Sequence, residues 1–138
     1  MNTTMEVMLN AKKELTVYTR EQAVAASQIY FNGDTLAADV WVNKYALKDS
    51  DGNIYESTPD DMHVRIASEI SRIEQKYENP MSYELILSLI KDFKYIIPQG
   101  SPMSGIGNDF QTVSLSNCFV IGHTGPSDSY GAIMNTDQ

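Results

Sequence analysis

The 138-residue chain has a single cysteine, Cys118, so no internal disulfide can staple it. It is short of positive charge. Ten Lys and Arg stand against 18 Asp and Glu, a net charge of −8, and a phosphate backbone would meet a repelling field. Nucleic acid is therefore not an expected partner. No apolar run approaches the length of a membrane span, and the start MNTTMEVMLNAKKEL lacks the continuous apolar core of a signal peptide. The expectation is a cytoplasmic protein with no membrane partner. Histidine is also scarce, and His63, His123 and Cys118 show no metal-ligand spacing. The acidic stretch LKDSDGNIYEST is not a calcium loop, because Gly52 falls at the fourth position where an EF-hand needs it at the sixth. GIG at 105–107 is not a phosphate loop, because no Gly-Lys-Ser/Thr follows it.

What is present is ordinary globular composition, 42% hydrophobic and 20% charged, punctuated by clear helix signals. Residues up to about 18 show no firm period, with a short strand expected at 15–18. Thr19 caps a helix from Arg20 with Ala23, Ser27 and Tyr30 on one face, and Asn32-Gly33 stops it. Asp34 or Thr35 caps a second helix, in which Leu36, Ala37, Val40, Trp41 and Tyr45 keep helical spacing. Asp51-Gly52 marks a tight turn. Thr58-Pro59-Asp60-Asp61 reads as a capped helix start, followed by the stripe Met62, Ile66, Ile70, Ile73, Tyr77. His63, beside that stripe, is expected to be partly solvated. Asn79-Pro80 breaks the helix, and Ser82 caps another that carries Leu85, Ile86, Leu89, Ile90 and Phe93.

At Tyr95 the pattern changes from helical to extended. YIIPQGSPMSGIGN is apolar and then rich in glycine and proline, and QTVSLSNCFVIG alternates. Val113, Leu115, Phe119 and Ile121 fall on one strand face, and Ser114, Ser116, Cys118 and Val120 on the other. A loop, GHTGPSD, holds His123 and leads to SYGAIMNTDQ, the first turns of a helix that Asp128 or Ser129 would cap.

Three blocks, KYALKDSDGNIYESTPDDMHVRIA, PQGSPMSGIGNDFQTVSLSNCFVIG and DSYGAIMNTDQ, resemble in order and spacing the N-terminal part of the large, catalytic subunit of ribonucleotide reductase. The resemblance covers roughly Arg20 to Gln138. GDTLAADVWVNKYAL and SLSNC are most similar to the adenosylcobalamin-dependent members. The resemblance implies an α+β fold: a helical N-terminal domain followed by the first strands of a ten-stranded α/β barrel. Residues 1–19 would be an N-terminal arm, 20–95 the helical domain, and 96–138 the incomplete start of the barrel, opened by a strand at 112–121. It implies reduction of ribonucleotides to deoxyribonucleotides by thiyl-radical chemistry, under allosteric control by nucleotides. Activity would require the remainder of the catalytic chain, with this piece coming from a split gene, an intein-interrupted precursor or an incomplete record. The stretch before Arg20 leaves no room for an ATP-cone. A half-barrel alone would be expected to associate or to stay partly unfolded.

In that family a thiyl radical removes the ribose 3′ hydrogen, the 2′-hydroxyl leaves as water, and a thiol pair supplies two electrons. The resemblance makes Cys118 one thiol of that pair, its partner lying beyond residue 138; taken alone, Cys118 reads as a small buried hydrophobe. It makes Ser101 a contact of the substrate phosphates and Asn117 a lining residue of the nucleotide site, whereas taken alone Ser101 is a turn serine. It makes Asp128 a ligand of the effector ribose, in competition with a plain N-cap. Adenosylcobalamin, bound by the missing portion, or alternatively a separate di-metal radical subunit would supply the radical, and a thioredoxin-type protein the reductant. The alternative from another class is a non-catalytic nucleotide-binding or assembly module built on the same helical domain. A free-standing thiol enzyme lacks any Cys/His arrangement to activate Cys118.

Overall fold

The computed structural model describes residues 15–116. Local side-chain chemistry sets most of its boundaries. Helix α1 (Arg20–Tyr30) begins with a reciprocal capping box: Gln22 N donates to Thr19 Oγ1 at 3.2 Å, and Thr19 N donates to Gln22 Oε1 at 2.9 Å. Its end turns through Asn32 and Gly33, both at positive φ (53° and 93°), with Gly33 N returning to the Gln28 carbonyl at 2.8 Å. Asp34 then caps α2 (Thr35–Lys44) by accepting from Ala37 N at 2.9 Å. At the far end of α2, Lys48 Nζ donates to the carbonyls of Val42, Asn43 and Ala46, which have no partner within the helix.

The stretch 47–55 folds back on itself around Asp49. That carboxylate accepts from Asp51 N, Asn53 N, Asn53 Nδ2 and the Tyr55 hydroxyl at 2.7–2.9 Å, and Gly52 takes the required positive φ. Antiparallel bridges join Ile54 to Lys48 and to Tyr18. These single bridges are the only sheet pairing among the described residues, so the strand expected at 15–18 is reduced to Tyr18 alone.

Helix α3 (Pro59–Glu74) is the axis of the domain. It starts where the sequence places it, with Thr58 at the N-cap, Pro59 first and Asp60 and Asp61 in the first turn, but the Thr58 side chain makes no cap bond. Asp61 accepts instead from Ser57 N (2.9 Å) and Ser57 Oγ (3.1 Å), one turn back, and Ser27 Oγ of α1 donates to the Ser57 carbonyl at 2.8 Å. Helix α4 (Tyr83–Ile90) is capped by Ser82 as expected and packs along α3. A tight turn, Lys91–Phe93, follows with Asp92 and Phe93 at φ 56° and 55°. The segment beyond Tyr95, read as extended, contains a further helix, α5 (Gly100–Gly105).

The core collects Ala23 from α1, Trp41 and Val42 from α2, Ile54, Met62, Ile66 and Ala67 from α3, and Ile86 and Ile90 from α4. Trp41 Nε1 points at Met62 Sδ, 3.5 Å away, so the indole donor is not stranded. The α2 stripe is rotated from its expected position. Trp41 of the expected stripe is buried together with Ala38 and Val42, while Leu36 is 74% exposed; α1 packs against α2, and Trp41 reaches Met62 of α3. The α3 stripe holds at Met62 and Ile66, is half-buried at Ile70 and Ile73, and Tyr77, three residues past the end of the helix, is exposed. His63, expected to be partly solvated, is fully buried, because the Phe93 turn lies over it.

The expected strand from 112 onward is not formed in its described part. Val113 and Leu115 lie against α5, Ser116 N donates to Ser114 Oγ at 3.2 Å, and no neighbouring strand is there to complete a ladder. No helix among the described residues is long and apolar enough to cross a membrane. The packing predicts that Ile66→Ala lowers the unfolding free energy by about 2–5 kcal/mol, whereas Leu36→Ser changes it by less than about 0.5 kcal/mol. Urea unfolding of the two variants measures both; equal losses would restore Leu36 to the buried face.

Candidate functional site

Ser101 is the one sequence-predicted site residue among the described residues. Asn117, Cys118 and Asp128 lie outside them, as does His123. Ser101 stands in the first turn of α5, in a helix rather than the glycine-rich turn that the sequence suggested. Beneath that turn Gly100 lies on the Tyr45 ring, where an added Cβ would come 3.3 Å from Cε1. Ser104 Oγ donates back to the Gly100 and Ser101 carbonyls at 3.2 and 3.3 Å. At the other end Gly105 admits the crossing chain, because a Cβ there would sit 2.5 Å from Val113 Cγ2 and 2.8 Å from Leu115 Cδ2. The glycines of GSPMSGIG thus mark close approaches around a short helix.

Below α5 lies a buried ion pair that the sequence reading did not single out. Arg65 Nε on α3 donates to Glu56 Oε1 at 2.6 Å, with side-chain exposures of 8% and 5%. NH2 donates to Glu56 Oε2 at 3.3 Å and to the Met103 carbonyl of α5 at 2.8 Å, and NH1 donates to the carbonyl of Ile106, the residue that follows α5. Glu56 Oε2 accepts from Leu47 N at 2.9 Å. The available signal was weak, consisting of one basic residue beside the apolar stripe of α3 and one acid in IYEST.

Clefts open beside this hub and, apart from it, at the Asp92 turn. A cleft of about 620 Å³ runs along α3 past Glu56 and Arg65, and is walled by the stacked rings of Tyr55 and Phe110, 4.7 Å apart. One of about 460 Å³ lies between Ile70 and Ile73 of α3 and the Ile106–Leu115 stretch. A third, about 530 Å³, is bordered by Tyr30, Asp60 and Asp92. Ser101 lines none of the three.

Electrostatics distinguishes these places. Bonds from the side chains of Asn53 and Tyr55 hold Asp49 at about 2, well below an ordinary carboxylate, so its turn is fixed at neutral pH. Burial, then the Asp92 carboxylate that accepts from its hydroxyl at 3.2 Å, pushes Tyr30 far above an ordinary phenol. Burial lowers Lys48, opposed by Glu56. Burial also lowers His63, whose two ring nitrogens have no hydrogen-bond partner and whose ring meets Phe93 edge-on at 4.6 Å. Among the described residues no three His, Cys, Asp or Glu side chains are grouped to hold a metal ion.

Most of α1, the helices α2 to α5 and the Arg65 hub fall within one recognised unit. The family described as ribonucleotide reductase, all-alpha domain, matches residues 22–107. The chain belongs to the ribonucleotide reductase all-alpha domain family. No curated protein and no solved structure matches it. The matched span opens inside α1 and closes two residues after α5, so Ser101 and the Arg65 clamp both lie within the reductase domain, whereas Cys118 lies beyond the match. The match supports an N-terminal portion of a reductase large subunit, with the rest of that chain as partner.

His63 generates a pH prediction. Its neutral form is favoured in the folded state, so below its ordinary value of 6.5 the unfolded chain binds the extra proton first. Stability contributed by His63 is present above that pH and is lost as pH falls through the lowered folded value, with Asp60 and Asp92 opposing the shift and Lys91 adding to it. His63→Leu should flatten the stability profile between about pH 7 and 5 relative to the unaltered chain. Parallel slopes in urea titrations would show that other groups carry the acid sensitivity.

Proposed function

We propose that this chain is the N-terminal part of a ribonucleotide reductase catalytic subunit, most similar to the adenosylcobalamin-dependent class. Joined to the remainder of the subunit, it would reduce ribonucleotides to deoxyribonucleotides. The observation that carries this reading is the reductase all-alpha match over 22–107, well over half of the chain. Exposed apolar side chains on both flanks of α5, Tyr95, Ile96 and Ile97 before it and Val113 and Leu115 after it, support a domain that continues into more protein there.

In this reading Cys118 and a second cysteine of the remaining chain reduce the substrate. The ribose C2′–OH bond breaks and the hydroxyl leaves as water. C2′ gains hydrogen, and the two thiols give up two electrons and two protons to become a disulfide. A thioredoxin-type dithiol then returns the pair to thiols. Ser101 contacts the substrate phosphates through its hydroxyl, Asn117 lines the nucleotide site, and Asp128 binds the ribose of a nucleotide effector. Adenosylcobalamin held by the rest of the subunit, or else a di-metal radical subunit, supplies the radical. Among the described residues no three His, Cys, Asp or Glu side chains are grouped to hold a metal ion.

The test is to express the chain with the remaining catalytic-subunit sequence and to follow deoxyribonucleotide formation from ribonucleoside di- and triphosphates with a dithiol reductant. Reduction by the unaltered protein and loss of sustained turnover in Cys118→Ser are expected. Absence of any deoxyribonucleotide from the completed subunit overturns the assignment, and full turnover in Cys118→Ser removes that thiol from the chemistry.

A further inference from the structure

We propose that Arg65 is a positioning residue for the substrate's phosphate groups, acting through α5. The inference rests on the reading of Ser101 as a phosphate contact. Three observations carry it. The guanidinium is almost fully buried and is aimed by a 2.6 Å bond to Glu56. Its two terminal nitrogens reach the backbone carbonyls of Met103 and Ile106, which flank the last turn of α5. The helix is only six residues long, so a shift at its last turn moves Ser101, two residues before Met103.

The alternative use of such a pair is purely structural, and the geometry argues for more. The acceptors of Arg65 are not scattered. Apart from Glu56, they are Met103 in the last turn of the one short helix that holds Ser101 and Ile106 at its C-cap. The same helix is tied across its length by Ser104 Oγ to the Gly100 and Ser101 carbonyls, and from outside by Asn108 Nδ2 to the Ser104 carbonyl. Its first turn is seated on Tyr45. Movement of the clamped end is therefore transmitted to Ser101 rather than absorbed. Arginine is required because a planar fork meets two carbonyls and a carboxylate at once, which a lysine point charge cannot do.

The experiment uses the complete catalytic subunit and compares the unaltered protein with Ser101→Ala and Arg65→Lys. It measures kcat, the KM for the ribonucleotide, the Ki of the corresponding nucleoside without phosphates, and the thermal midpoint. Arg65→Lys keeps the charge beside Glu56 but loses the fork. It should raise KM on the order of tenfold, as Ser101→Ala does, with kcat within about twofold and the nucleoside Ki unchanged. A lower thermal midpoint or kcat with KM unchanged would make the pair a structural lock only, and overturns the proposal. A parallel rise in KM and nucleoside Ki overturns it too, because the effect would not be on the phosphates. If Ser101→Ala leaves KM unchanged, the phosphate reading of Ser101 fails and the positioning role falls with it, while deoxyribonucleotide formation by the unaltered subunit keeps the reductase assignment standing. Should Arg65→Lys not fold, the double variant Arg65→Met with Glu56→Gln leaves no charge buried alone and carries the same expectations.

Discussion

The buried pair of Arg65 and Glu56 is the constraint on which the domain's arrangement depends. Desolvating two charges is costly, and their attraction compensates only when the remaining donors and acceptors are also used. Here they are: Glu56 takes bonds from Arg65 and from Leu47 N, and Arg65 reaches two further carbonyls. The participants come from three separate stretches: the Asp49 turn region, α3 and α5. Displacing any one of them would leave a charge or a backbone group buried without a partner, so the three can shift only together. Hydrophobic burial alone, being non-directional, would not specify the position of α5 so narrowly, since Met103 and Ile106 are only partly buried against the core.

Much of the fold was legible because its boundaries are set by local chemistry. Thr19, Asp34 and Ser82 cap α1, α2 and α4 as their sequence context implies, and Asn32-Gly33 and Asp51-Gly52 turn where expected. Each depends on bonds within a few residues, which a sequence displays directly. The misreadings share the opposite origin. Thr58 is the N-cap residue as read, but its side chain makes no cap bond; the side-chain bonds at this start run from Ser57 to Asp61, and Ser57 is itself held by Ser27 from α1. Helical spacing put Leu36 on the apolar stripe of α2, whereas the buried face is Ala38, Trp41 and Val42. The burial of His63 follows from a turn thirty residues away.

The site was less legible than the fold. Ser101 was found through resemblance, and its surroundings were not: glycine and proline composition suggested an open turn, yet the same glycines serve a short helix crossed closely by Val113 and Leu115. Glycine marks either conformational freedom or close approach, and only the packing tells which. The Arg65–Glu56 pair was hidden for a similar reason. The two residues are nine apart in the chain and lie on different elements, so neither the helical period nor a motif relates them.

The exit from α4 shows how such long-range contacts fix the path into the site. Asp92 and Phe93 both adopt left-handed backbone, which costs non-glycine residues on the order of 1–2 kcal/mol each. Two contacts hold them there. Tyr30 of α1 donates to Asp92, and the Phe93 ring meets His63 of α3 edge-on. Tyr95 N and Ile96 N then both return to the Leu89 carbonyl, so the chain reverses over the end of α4 before it reaches α5. The buried, unpartnered imidazole and the paired left-handed residues are each unfavourable in isolation, but together they close one joint. That joint aims the Tyr95–Gln99 connection, the Arg65 clamp holds the far end of the helix that follows, and the position of Ser101 is set from both sides.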